Sequence, residues 1–220
     1  MGAPDWPSDI HPASGSRLPS VDRSTLDEAA GRLYDHAADP SGPSYAGLHG
    51  PAGVRLHSPR LAVLLSPSAR YLRREAGIPD RLRELVILAT ARELDSQFEW
   101  AAHEQPARQI GIEPEVIEVV RHGAPVDGLA EADQVTILLC REVLGARRLS
   151  SATYARAHEL LGTRLLVDLV ALLGSYASTA ALLCAFDVQL HPGWAPGLPD
   201  GADPARDPAV GGSARDPDPR

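Results

Sequence analysis

Two cysteines in 220 residues, Cys140 and Cys184, leave little room for thiol chemistry. They stand far apart, each in an apolar run, and form no Cys-x-x-Cys. The sequence therefore reads as carrying two buried structural thiols, not a disulfide framework or a thiolate metal site. No basic cluster is dense enough for a nucleic-acid footprint, since "ARYLRRE" and "GARRL" are short and flanked by apolar or acidic residues. The formal charge of −8 favours solubility over binding to a polyanion. No basic stretch followed by an apolar one opens the chain, as a secretory leader would require, so a cytoplasmic location is expected. There is no strand series, no internal repeat, no glycine-rich phosphate loop and no serine-hydrolase elbow. The run 165–186 is long and apolar, but Asp168, Ser175, Tyr176, Ser178 and Thr179 interrupt it. A core or subunit-interface helix is expected there, and no membrane association.

What the chain does have is helical periodicity nearly throughout. Residues 1–21 and 191–220 are rich in Pro, Gly, Ser and Asp and cannot bury enough apolar surface to offset their chain entropy. They are expected to be disordered tails around a single helical domain over 22–190. "STLDEAAGRLYDHAA" opens with a Ser/Thr cap and an acidic first turn. "SGPSYAGLHGPAGVRLHS" reads as a loop with turns. Ser58 then caps a helix with Pro59 at its first position, which Pro67 kinks or splits. "IPDRLRELVILATARELD" is the clearest helix, with Leu82, Leu85, Val86, Ala89 and Leu94 at helical spacing. A second helix crosses Asp95–Ser96 into "QFEWAAHEQPARQ". The whole pattern predicts an all-α fold of about seven helices.

The stretch "SQFEWAAHEQPARQIGI" (96–112) carries the densest chemistry. Ser96, Glu99 and His103 are spaced by three and four residues and share one helix face. Glu99 can thus orient the His103 ring or favour its charged form, giving a proton donor or acceptor near neutral pH. Glu84 stands before "LVILA" on the preceding helix; burial there would raise its pKa and suit it to proton transfer. The same residues also fit a salt-bridged helix surface. A metal site is not expected: Glu-x-x-x-His is not the Glu-x-x-His of di-iron helices, and "HEQPA" lacks the second His of a zinc helix.

The block "LRELVILATARELDSQFEWAAHEQPARQIGIEPEVIEVV" resembles the carboxymuconolactone decarboxylase family. That family reads Arg-Glu-Leu, an apolar helix, then Tyr/Phe-Glu-Trp-x-x-His, an Ala and a Gly. Arg83, Glu84, Leu85, Phe98, Glu99, Trp100, His103, Ala107 and Gly111 match it. "HSPRLAVLL", from His57, resembles the family's His-Ser-Pro entry helix. The resemblance implies an alkylhydroperoxidase D-like all-α fold, no cofactor, and a homo-oligomer (dimer, trimer or hexamer) whose sites are walled partly by a neighbouring subunit. It also implies a lyase of the decarboxylase type, or an isomerase, acting by proton transfer on a small carboxylated lactone or enolisable carbonyl compound. His103, Glu99 and Glu84 would be catalytic, with His103 as acid or electrophile, Glu99 as its orienting partner and Glu84 as relay base. Arg83, Ser96, Trp100 and His57 are candidate substrate contacts; for Arg83 a structural ion pair, and for Trp100 packing, are the alternatives.

The related alkylhydroperoxidase D branch places its Cys-x-x-Cys where this chain has Ser96-Gln97-Phe98-Glu99. Thiol-based peroxide reduction therefore lacks its nucleophile. An alkylhydroperoxidase D-like peroxide-reducing protein is thus the disfavoured alternative, and a non-catalytic helical oligomer that binds a small molecule is the other.

Overall fold

The computed structural model describes residues 6–42 and 45–199. Among them are eight α-helices and no strand beyond an isolated bridge between His11 and Ser16. The helices are α1 (Glu28–Ala38), α2 (Pro51–Leu56), α3 (Pro59–Arg70), α4 (Asp80–Glu93), α5 (Gln97–Gln109), α6 (Pro114–His122), α7 (Glu131–Cys140) and α8 (Ser151–Ala185). The fold is all-α, as the periodicity predicts.

The helix that sequence reading misses is α2. Gly and Pro dominate its surroundings and mimic a loop, yet Pro51 sits in the first turn, where its missing N–H costs no hydrogen bond. Val54 and Leu56 then give α2 a buried face. Pro67 does not split α3; the helix passes it and widens into a π turn, Tyr71–Glu75. Sequence reading divides the last helix in two, and Gly162 does break α8, with φ 69° and ψ 168°. Glycine meets that positive φ without the steric cost of a Cβ.

Helix α4 is the axis of the molecule. Every residue from Glu84 to Arg92 is buried, which is how a helix behaves when neighbours surround it. It packs against α5, α6, α7 and α8. Leu85, Ile87 and Leu88 meet Ile137, Leu139, Leu169 and Leu172 in the main core. Each such side chain contributes roughly 1.5–3 kcal/mol on burial. At the start of α4, Arg81 grips the buried Asp133 of α7 through two bonds of 3.0 and 2.7 Å. The same guanidinium reaches the Gly111 carbonyl at 3.2 Å and the Glu113 carboxylate, which fixes the entry to α6. At the other end Asp95 turns the chain with φ 50°, held by Arg92 at 2.6 Å, and α5 folds back along α4.

By length and composition α8 is able to cross a membrane. Here Leu166, Leu169, Leu172, Leu173 and Leu183 are buried against the bundle. Asp168 is buried too, 2.8 Å from Arg164 and 3.2 Å from the Tyr71 hydroxyl.

The described parts of the expected tails pack on the domain. The Arg17 N–H donates to the Phe186 carbonyl at 2.9 Å, and the Gln189 N–H to Gly15 at 2.8 Å. Gln97 binds the backbone of Gly197 and Leu198 through bonds of 2.8–3.0 Å. Gly197 lies so close to Trp100 that a Cβ there would come within 2.5 Å of the indole. Average composition hides the few residues that do this: Ile10 and Leu198 are buried, Trp6 stands edge-on to His49, and His191 and Trp194 pack at a tilt with His49 and Phe98. Residues 1–5 and 200–220 of those segments lie outside the described residues.

The two segments meet at a histidine pair. His49 and His191 have ring centroids 4.2 Å apart. His49 bonds the Gln189 carbonyl at 2.8 Å, and His191 the Ala46 carbonyl at 3.1 Å. Burial holds both imidazoles below their ordinary pKa, and for His49 the neighbouring ring adds to this. An unfolded histidine titrates near about 6.5, so below that pH the unfolded chain binds more protons and stability falls. The expected outcome is a melting temperature that drops between pH 7.5 and 5.5, and drops less in a His49→Asn/His191→Asn variant. Equal slopes in thermal melts of the two proteins would refute the assignment.

Candidate active site

The turn at Asp95 lays α5 beside α4 so that three predicted residues converge. His103 Nδ1 lies 2.8 Å from Glu84 Oε2, and Nε2 lies 3.7 Å from Glu99 Oε2. All three side chains are about 95% buried or more. The first contact is a hydrogen bond; the second is too long to be one. An ionised Glu84 only accepts, so Nδ1 donates, and in the neutral ring Nε2 is left as an acceptor. The orienting part that spacing alone gives to Glu99 thus falls to Glu84, 19 residues away in sequence.

The two carboxyls sit in different fields. Burial works against ionisation of Glu84, but the His103 contact and the Arg83 guanidinium 3.2 Å away outweigh it and hold this carboxyl below the usual range. The expected upward shift is therefore reversed. For Glu99 burial prevails over the charges of His103, Arg55 and Arg73, and the carboxyl is pushed up. Two carboxyls whose environments drive them apart are suited to opposite roles.

Glu99 and His103 open onto a cavity of about 120 Å³. Tyr45 and Tyr176 stand edge-on to the imidazole, with centroids 5.8 and 5.3 Å away. Burial keeps the Tyr176 hydroxyl protonated well past its ordinary range. Arg55 from α2 and Arg73 from the π turn bring positive charge, and Ser175 and Thr179 complete a polar side. Arg55 is held by the Thr179 hydroxyl. Sequence reading does not single out Arg55, Arg73, Tyr45 or Tyr176 as site residues. The signal for Tyr176 and its neighbours was the polar interruption of the apolar run 165–186; α2 was hidden by its Gly and Pro.

The four expected substrate contacts do not wall this cavity. Arg83 is engaged by Asp80 at 2.6 Å, the Arg73 carbonyl at 3.4 Å and Glu84, a structural role behind the site. Trp100 is fully buried on the far side of α5, where its N–H donates to Glu104 at 2.8 Å and the Arg121 guanidinium lies 4.9 Å above its ring. Ser96 caps α5 through its backbone. His57 is exposed, bonded to the Pro19 carbonyl at 2.9 Å, in a separate hollow.

Residues 64–139 match the carboxymuconolactone decarboxylase family. The matched stretch runs from within α3 through α7 and carries Glu84, Glu99 and His103, so the resemblance seen in the sequence holds there. Arg55, Tyr45, Tyr176 and Thr179 lie outside this carboxymuconolactone decarboxylase-type segment. No curated protein matches the chain.

Neither thiol faces the cavity. Cys140 is buried in the core, and burial pushes its thiol up to about 12. Cys184, expected to be buried, is exposed: Leu183 faces the bundle, and one residue further round α8 points to solvent. Among the described residues, no group of three or more His, Cys, Asp or Glu side chains has the arrangement to hold a metal ion.

Two measurements follow from this geometry. A thiol reagent should modify Cys184 quickly in the native chain and Cys140 only after unfolding; fast labelling of both would contradict the burial of Cys140. Carbon NMR should show the Glu99 carboxyl titrating above the ordinary value of about 4.3. In Arg55→Gln its midpoint should rise further, because a favourable charge is gone. A midpoint at or below the ordinary value would contradict the burial argument.

Proposed function

We propose that the chain is a proton-transfer enzyme, a lyase of the decarboxylase type or an isomerase, acting on a small carboxylated lactone or enolisable carbonyl compound. The observation that carries this reading is one cavity wall. It presents an imidazole nitrogen turned away from its orienting carboxylate, a second carboxyl 3.7 Å away whose pKa burial pushes up, and a tyrosine hydroxyl beside both.

In the decarboxylase direction, the substrate's C–C bond breaks and its electron pair stays behind as CO2 leaves. That pair delocalises into the conjugated carbonyl, whose oxygen gains charge. The Tyr176 hydroxyl and the Arg55 guanidinium are the donors suited to that oxygen. Glu99 supplies the proton to carbon, and His103 passes it a replacement from solvent, since loss of CO2 from a carboxylate consumes one proton. Glu84 keeps the ring in register throughout, a positioning role. In the isomerase direction His103 takes a proton from one carbon and Glu99 delivers one to another. Each acid–base contribution is worth roughly 10²–10⁴ in rate.

Peroxide reduction in the alkylhydroperoxidase manner finds no support in the cavity, because its wall offers carboxyl and imidazole where a thiolate is needed. The homo-oligomer is a separate part of the proposal, which the mass of the chain in solution decides.

The test is CO2 release from a carboxylated butenolide, together with solvent-deuterium uptake into enolisable ketones. His103→Gln, which keeps a donor for Glu84 but cannot shuttle protons, should lower the rate roughly 10²-fold or more while preserving the helical circular dichroism spectrum. Full activity in that variant would end the assignment.

A further inference from the structure

Beside the cavity runs an open groove of about 620 Å³, bounded by α1, α2, α3 and α8. Arg55, Ala69, Arg73 and Ser175 belong to both, so the two spaces share one wall. The groove has an apolar floor that includes Leu56, Ala62 and Leu72. Its charges are of one sign: Arg55, Arg70, Arg73 and Arg74 line it, and no Asp or Glu does. This occurs in a chain whose net charge is −8. Arg70 is neutralised by Glu75 at 2.9 Å. Among the described residues Arg55, Arg73 and Arg74 form no ion pair, and the buried Nε of Arg55 has no hydrogen-bond partner. Guanidinium groups that line a groove without a protein counter-charge are suited to receive an anion from it.

We propose that Arg55 and Arg73 form an anion-receiving pair at the junction of the two spaces, and that the molecule reaching His103 is an organic anion whose apolar body lies in the groove. This deepens the proposed function and rests on its placement of the substrate in the cavity. The size ratio supports it, since only a reacting head fits the smaller space and the groove alone has the volume of an ordinary ligand site. Burial pushes the Glu99 pKa up, which weakens the opposition this carboxyl offers to an approaching anion. Arg55, on α2, lies outside the family-matched stretch, and Arg73 lies within it.

Octanoate and 1-octanol are the probes, with binding followed by calorimetry. Octanoate should bind the unmodified chain, and its affinity should fall with added salt. Arg73→Gln and Arg55→Gln should each weaken octanoate at least tenfold and leave octanol unchanged. Arg73→Gln keeps the test valid should loss of the Arg55–Thr179 contact unfold the chain. Leu65→Asp, in the groove, should weaken both probes. Unchanged octanoate binding in the folded arginine variants overturns the proposal. So does a dimer, seen by light scattering, that excludes octanoate because a second copy covers the groove. His103→Gln should bind octanoate normally. Lost turnover with retained binding then separates the fate of the catalytic reading from that of the anion site.

Discussion

The buried contact between Glu84 and His103 is the constraint around which the molecule is organised. A carboxylate on the most enclosed helix is costly unless partners replace the water it gives up. Glu84 has two, the His103 imidazole and the Arg83 guanidinium. Arg83 in turn is anchored to Asp80 and to the backbone ahead of α4. Removing either partner would strand charge in the core, so the register of α5 on α4 and the direction of the imidazole are fixed together. The reactive nitrogen inherits its position from packing: every residue from Glu84 to Arg92 is clamped by neighbours. A histidine on a loop would need other means to keep its Nε2 facing the cavity.

Around that pair the site is assembled from parts of the chain that are remote in sequence. Helix α5 supplies Glu99 and His103, α2 supplies Arg55, and α8 supplies Tyr176 and Thr179. Because Tyr176 and Glu99 are enclosed, burial pushes the pKa of both above that of exposed groups. Glu84, equally enclosed but paired, goes the other way. The difference between the two carboxyls is thus made by hydrogen-bond geometry, since burial alone acts on both in the same direction. The histidine pair near the termini reaches this site as well. His191 holds the Ala46 carbonyl, and Ala46 and Tyr45 wall the cavity beside His103.

Much of this was legible in the sequence, and what was not has physical causes. The α4 and α5 periodicities are strong, and the motif Glu84…Glu99…His103 lies in one continuous stretch, so the fold class and the three converging residues could be read off. The pairing within the triad could not. Spacing of four on a helix promises a contact between Glu99 and His103, yet the shorter contact is tertiary and depends on how α5 folds back at Asp95. Trp100 matches the family pattern but lies on the opposite side of α5 from the cavity, where it carries Arg121 and the segment at Gly197. Arg55 escaped because Gly and Pro on either side of α2 imitate a loop. The ends of the chain were judged on average composition, while a handful of aromatic and histidine contacts decides how their described parts pack.

The position of Glu99 sharpens what separates the two chemistries associated with this sequence pattern. Where the peroxide-reducing branch has a Cys-x-x-Cys, this chain has Ser96 and Glu99, and the structure does not treat the two positions alike. Ser96 caps α5 away from the cavity, whereas Glu99 stands in its wall, 3.7 Å from the imidazole. Of the two positions, 99 is therefore the one that faces the cavity. A thiol there, next to His103, would be poised for ionisation and attack on an electron-poor oxygen. A carboxyl there, deprived of water, is a weaker acid than an exposed one. Both thiol positions of that branch carry oxygen-bearing residues here, and Glu84 aligns the ring beside the one of them that faces the cavity. The nature of residue 99 then says more about the reaction than the fold around it does.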